Sequence, residues 1–167
     1  GGRHIKGLDI LLDAWPLVAS AHPAATLHVW GLPADEESAL ATRCRTTPGC
    51  VVEGVAGGDG VAEAMRGGGT LVVPSRYEVA PVAIAEAWAV GLPVVATAVG
   101  GVPALARGAA ALCEAEDPAA LAAGIVRALE RGGETELMVT EGRMRAEAHR
   151  VAAVADAHIA LYERLLG

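Results

Sequence analysis

Two acidic and two basic residues stand where simple chemistry would place them to hold a phosphate flanked by hydroxyls. Glu78 ends the run Pro74-Ser75-Arg76-Tyr77-Glu78, and Glu86 follows eight positions later, after Val79-Ala80-Pro81-Val82-Ala83-Ile84-Ala85. A strand-like run precedes this stretch and a helix-like run ends it, so Glu78 falls in the loop and Glu86 in the second helical turn. Between them lie the N–H groups of a helix N-terminus, which lack internal acceptors and favour anions. Each carboxylate could accept hydrogen bonds from hydroxyls while the amides hold phosphate oxygens. The same spacing also fits two ordinary exposed glutamates, since acidic residues are favoured early in a helix. The second set is Gly2-Arg3-His4-Ile5-Lys6-Gly7, just ahead of the first helical pattern. Basic residues there oppose the helix dipole unless an anion such as a diphosphate neutralises them. A solvated basic turn is the alternative. Lys6 is the single lysine among 13 basic residues.

The elements that must position these residues alternate between strand and helix. Helical spacing covers Ile10–Ala21, with a kink expected at Pro16. Thr26–Trp30 reads as a strand stopped by Gly31, and Asp35–Arg45 as a helix with acidic residues in its first turn. Val51-Val52 suggests a short strand, Gly57–Gly60 an exposed loop, and Val61–Arg66 a short helix. Thr70–Val73 and Pro93–Thr97 are continuous apolar runs of the kind buried on both faces of a sheet. Pro81–Val90 reads as the helix between them, with Pro81 in its first turn and Gly91 as its stop. Val102–Ala106 is a short helix after the Gly100-Gly101 turn, and Ala110–Cys113 a last strand. Asp117-Pro118 opens a helix running to about Arg131, Glu141–His149 a shorter one, and Val151–Leu166 an amphipathic one. This alternation predicts an α/β fold: a doubly wound parallel sheet with helices on both faces. Ligands of such sheets bind at the carboxyl ends of the strands, after Trp30, Val52, Val73 and Thr97.

Composition narrows the function classes. The chain has 167 residues, 53% of them hydrophobic, with a net charge of −7. That is one domain's length with a real core, and the acidic balance argues against a nucleic-acid partner. Three cysteines at no metal-ligand spacing predict neither a disulfide scaffold nor a metal site. No run of apolar residues is long enough to span a bilayer. There is no Gly-x-Gly-x-x-Gly and no P-loop, and Ser75 does not sit in a nucleophile elbow. The five histidines are scattered, while Trp15, Trp88 and Cys113 fall on apolar faces and read as core.

Taken in order, Gly2-Arg3, Lys6-Gly7, Pro74-Ser75, Glu78-x7-Glu86, Gly91-Leu92-Pro93-Val94-Val95-Ala96-Thr97 and Gly100-Gly101-Val102-Pro103 resemble the C-terminal domain of family-4, group 1 retaining glycosyltransferases of GT-B fold. The resemblance spans nearly the whole chain, through Asp117–Ala122, and lies in the order and spacing of the motifs. It implies a Rossmann-like donor domain over residues 1–167, binding a nucleotide-diphosphate sugar for transfer to an acceptor hydroxyl, as in a hexosyltransferase. Arg3 and Lys6 would bind the diphosphate and meet charge on the leaving group, and Glu78 would contact the donor sugar. The amides near Ala80, Val82 and Ala83 would hold sugar and phosphate, Glu86 the ribose, and the loops at Gly31 and Val51 would flank the base. The family needs no cofactor and no bound metal, so Arg3, Lys6 and the helix N-terminus would do a cation's work.

The chain departs from the family pattern at Val79, where relatives often carry Gly or Pro, and at Pro81, where they often carry Gly although Pro is a familiar variant; Pro81 donates no N–H. Arg107-Gly108-Ala109-Ala110 stands in place of Asp-Gly-x-x-Gly. The resemblance also implies an N-terminal domain that reads the acceptor, and a first strand leading into Gly2. Neither is in this sequence, so the expectation is a fragment of a longer, two-domain enzyme, inactive alone and with a gap in its sheet. Its expected setting is the cytoplasm, where nucleotide sugars are used, with membrane contact only through the other half. Two other classes fit the same residues: a sugar-nucleotide epimerase of GT-B architecture, and a nucleotide-binding module without chemistry.

Overall fold

The computed structural model describes residues 2–33 and 35–166, with side chains from His4 onward. The chain runs α1 (Gly2–Ile5), α2 (Leu8–Ala21), β1 (Leu27–Trp30), α3 (Ala39–Thr46), β2 (Cys50–Gly54), α4 (Gly58–Gly67), β3 (Leu71–Val73) and α5 (Val82–Val90). It continues through β4 (Val94–Thr97), α6 (Val102–Ala106), β5 (Ala111–Cys113), α7 (Pro118–Glu130), α8 (Gly133–Ala148) and α9 (Val151–Leu166). All strand pairs are parallel, as the alternation requires. The strands form two sheets, β1-β2 and β3-β4-β5, with no ladder joining them among the described residues.

Several boundaries move for local reasons. The basic stretch before α2 is itself a helical turn, α1, and Gly7 links the two in the left-handed region at φ 65°. Pro16 lies inside α2 without ending it. The acidic residues expected in the first turn of α3 precede it instead, because the Ser38 hydroxyl accepts from the Ala41 N–H and sets the cap there. Gly57–Gly60 is not an exposed loop. Gly57 caps α4 and Gly58–Gly60 form its first turn, with Asp59 placed favourably for the dipole. Pro81 caps α5 from just outside it. The last-but-one helix is longer than expected, since Gly132 in an extended conformation lets α8 restart at once with Glu134 and Glu136 in its first turn. Asp117 behaves as expected, accepting from the Ala120 N–H at 2.9 Å.

β4 organises the core. It is the middle strand of its sheet and all four of its residues are buried. Side chains alternate along a strand. Val95 therefore joins the cluster of α2, β1 and α7, with Leu12, Trp15, Val18, Leu121 and Ile125. Val94 and Ala96 join the opposite cluster of α5, α6 and α8, with Ile84, Trp88, Val102 and Ala146. Helices thus cover both faces. The expected core residues Trp15, Trp88 and Cys113 are all buried, and each indole N–H is bonded, to the carbonyls of Pro48 and Ala109 respectively. His28 is on the exposed side of β1, between the Thr26 hydroxyl and the Glu53 carboxylate. The thiol of Cys50 is pushed up to about 11 by burial, and those of Cys44 and Cys113 also rise with burial, so all three stay protonated. Among the described residues, α9 buries nothing, and no helix is long and apolar enough to cross a membrane.

With no Phe in the chain, the layers close by bringing backbones near one another. α7 meets the sheet at Gly124, where a β-carbon would lie 2.9 Å from Cys113 Sγ and 3.0 Å from Val95 Cγ1. α8 meets α5 at Gly142, where a β-carbon would lie 2.4 Å from Cδ1 of the buried Trp88. A methyl there overpacks a ring that cannot swing away. Gly142→Ala is therefore expected to destabilise the fold by about 1–3 kcal/mol in denaturant titration. An unchanged midpoint would show that α8 slides freely on α5.

Candidate functional site

The site is built on the connection from β3 to α5. β3 is half-buried at Leu71 and Val72 and buried at Val73, and the chain leaves it through Pro74 and Ser75, both buried, before reaching Glu78. Thr97, at the end of β4, donates its hydroxyl to the Ser75 carbonyl and anchors the loop to the neighbouring strand. The Gly100-Gly101 turn then presses on the loop from the far side. A β-carbon at Gly100 would lie 1.9 Å from the Glu78 carbonyl oxygen, and one at Gly101 2.0 Å from that of Val79. The Gly101 N–H bonds the Glu78 carbonyl at 3.0 Å. These glycines are thus required by close approach of two backbones, a stronger constraint than the turn expected from sequence.

The α1–α2 link closes the other side. Gly7 lies so near the loop that a β-carbon there would sit 1.9 Å from the Pro74 carbonyl oxygen. That contact brings Lys6 onto Glu78: Nζ donates to Oε1 at 2.6 Å. The Ser75 hydroxyl donates to the same oxygen at 2.9 Å. A carboxylate 9% exposed has lost most of its water, and these two donors replace part of it. Both of these bonds fall on Oε1, and none from a described residue falls on Oε2. The Lys6 side chain is 64% exposed, so its ammonium faces Glu78 on one side and open space on the other.

Arg76 fixes the two segments to each other. Its N–H donates to the Ile5 carbonyl at 2.7 Å. Its guanidinium binds Asp9 in bidentate fashion at 2.7 and 2.8 Å, the His4 carbonyl at 2.7 Å and Glu116 at 3.1 Å. The hydrogen bond from Arg76 holds the Asp9 carboxyl below its ordinary value, against the opposing pull of burial.

The other expected residues are placed separately. Arg3 is in α1, but its side chain lies outside the described residues. Glu86 is on the exposed face of α5 and meets no described side chain, neither Glu78 nor Lys6. The N–H groups of Ala80, Val82 and Ala83 have no acceptor among the described residues, as the start of a helix leaves them. Gly31 ends β1, in the other sheet, with φ 82°; its N–H bonds the Gly54 carbonyl at 2.7 Å, and open space surrounds it. Sequence reasoning missed Ser75, Arg76, Asp9 and Thr97. Only the adjacency of an Arg to the loop glutamate hinted at one of them. Among the described residues no three His, Cys, Asp or Glu side chains stand close enough to share a metal ion.

The arrangement can neutralise an anion at Lys6 and the α5 N-terminus, and accept hydroxyls at the unshared oxygens of Glu78 and Glu86. Comparison with known proteins places the chain by family and fold. The model of a family described as "Glycosyl transferases group 1" matches residues 2–131. A search of curated proteins gives no match. Among solved structures, the chain is similar to sucrose-phosphate synthase from Thermosynechococcus elongatus, with a TM-score of 0.80 and 27% identity over 98% of this chain and 43% of that one. HepE from Anabaena, in complex with UDP and glucose, gives 0.78 and 23% over 96% of this chain and 45% of that one. TarM from S. aureus, in complex with Fondaparinux, alpha-GlcNAc-glycerol and UDP, gives 0.78 and 17% over 95% and 33%. The last two likenesses are of fold alone. The chain spans less than half the length of each of these structures.

The Asp9–Arg76 contact has a definite pH signature. A carboxyl held low in the folded state contributes stability above its unfolded value, and that contribution vanishes as pH falls through the folded value. Asp9→Asn is therefore expected to lower the melting temperature by a constant amount at pH 5–8. The gap to the parent protein should close as pH drops well below 3.8, the ordinary value for this carboxyl. A gap that persists unchanged at pH 2 would show that the charge of Asp9 contributes nothing.

Proposed function

The chain belongs to the group 1 glycosyl transferases, with the fold of a GT-B C-terminal domain, and from this we propose that it is the donor half of a retaining, family-4-type enzyme. It binds a nucleotide-diphosphate sugar and passes the sugar to an acceptor hydroxyl. The observation that supports this most directly is the Lys6 ammonium on the buried Glu78 carboxylate at 2.6 Å, beside a helix N-terminus with open N–H groups.

The roles follow from charge. When the anomeric C–O bond breaks, negative charge grows on the departing diphosphate. Lys6 and Arg3 carry the positive charge to meet it, and the N–H groups of Val82 and Ala83 add fixed dipoles. Glu78 cannot take that charge and instead accepts hydroxyls of the donor sugar through its unshared oxygen. Its bond to Lys6 holds the ammonium above the loop. Glu86, exposed and without a described partner, accepts the ribose hydroxyls. Ala80 offers one more N–H, and Gly31 leaves space for the base at the end of β1. Neither a cofactor nor a metal is needed, since the cationic groups come from the chain. The acceptor is read by a second domain, and the cytoplasm is the compartment that supplies the donor.

Calorimetric titration of the full-length natural protein with UDP, GDP, ADP and dTDP tests the reading. One diphosphate should bind at micromolar strength. Glu86→Ala should weaken it about tenfold or more, the loss expected for hydrogen bonds to a charged group. Lys6→Ala should lower kcat by about 10²–10³, as for other groups that stabilise transition-state charge. Failure of all four diphosphates to bind would overturn the proposal.

A further inference from the structure

Arg76 is the one guanidinium near the site whose every N–H is accounted for among described residues. Nη1 donates to the His4 carbonyl and Asp9 Oδ1, both at 2.7 Å. Nη2 donates to Asp9 Oδ2 at 2.8 Å and Glu116 Oε2 at 3.1 Å, and Nε pairs with Glu116 Oε1. A guanidinium has five N–H donors, and these five contacts use all of them. None remains for a phosphate oxygen, although the residue lies two positions from Glu78.

Those contacts join three segments that are far apart in sequence. The His4 and Ile5 carbonyls belong to the turn that ends at Lys6, since Ile5 accepts from the Arg76 N–H. Asp9 begins α2, on the other side of Lys6. Glu116 lies between β5 and α7 and is held at φ 59°, a conformation that costs a residue with a β-carbon and persists only when its surroundings enforce it. Lys6 therefore sits between two points pinned to Arg76, while Glu78 sits on the same loop as Arg76 itself. The Arg76 side chain is 18% exposed, and a bidentate fork to Asp9 resists rotation.

We propose that Arg76 is a positioning residue for anion binding: it never touches the ligand, and it fixes the Lys6 ammonium at the height where Lys6 meets both Glu78 and a diphosphate. This rests on the diphosphate site of the preceding reading. A contact acting through Lys6 has a distinctive signature, because its effect must disappear when Lys6 is gone.

The test is a double-mutant cycle on the full-length natural protein. The readout is the dissociation constant of whichever of UDP, GDP, ADP and dTDP binds. Arg76→Gln should weaken binding about tenfold when Lys6 is present and less than twofold in the Lys6→Ala background. Arg76→Lys, which restores charge but not the fork, should recover only part of the loss. Equal losses in both backgrounds would overturn the proposal, since direct contact or general loosening multiplies independently of Lys6. If Arg76→Gln does not fold, Glu116→Gln, which keeps one acceptor oxygen but loses the other and the charge, weakens two of the five contacts and should show the same dependence on Lys6, with a smaller loss. No loss from Lys6→Ala would instead remove the diphosphate site itself, and no loss from either Arg76→Gln or Glu116→Gln would remove only the positioning role.

Discussion

The loop from Pro74 to Pro81 is gripped between two backbones that approach it too closely for any side chain. Gly7 meets it at Pro74, and Gly100 and Gly101 meet it at Glu78 and Val79. Everything that makes the site depends on this grip. It brings a lysine from the first turn of the chain within 2.6 Å of a carboxylate 72 positions later. It also determines where α5 begins, and so where the N–H groups of Val82 and Ala83 point. Close approach of this kind is unforgiving, because the atoms in contact are carbonyl oxygens fixed in peptide planes.

The same economy runs through the core. A chain without Phe fills its interior mainly with Ala, Val and Leu, with Trp15 and Trp88 as its large buried rings, which leaves little bulk to bridge wide gaps elsewhere. The layers close instead through Gly124 and Gly142, and β4 divides its side chains between the two clusters. Rigid layers then hold the ends of β3 and β4 in register, from Leu71 opposite Val94 to Val73 opposite Ala96. The loops that follow these strands, which carry Glu78 and Gly100-Gly101, inherit that register.

What could be read from the sequence follows the range of the forces involved. Local signals were legible: Asp117 caps α7, Gly91 stops α5 at φ 74°, and β4 is buried throughout. Local signals also misled where two competed. Ser38 outcompeted the acidic residues before it as the start of α3, and glycines at Gly57–Gly60 began a helix instead of preventing one. Of the site, the residues with distinctive chemistry, Lys6 and Glu78, stood out and are brought together. Their supports did not, because nothing in the local sequence of Arg76 reveals that its partners are Asp9 and Glu116, 67 and 40 positions away. Ser75 was discounted for lacking a nucleophile's setting, yet it is 1% exposed and donates to Glu78. A hydroxyl that orients a carboxylate leaves no motif.

Charge gives the last constraint. The chain carries a net charge of −7, and the anion binding proposed for it must work against that field. The structure handles this by spending acidic groups on basic ones close by. Asp9 and Glu116 enclose Arg76, and Glu78 faces Lys6. An ammonium paired on one side and 64% exposed on the other still has donors to offer, and its partner carboxylate limits how far it can wander. A lysine without Glu78 would be a stronger charge and a poorer ligand, because the side chain's own rotamer entropy would have to be lost on binding. The pairing therefore exchanges attraction for preorganisation, and the amides at the start of α5, which carry no net charge, make up the difference with dipoles already in place.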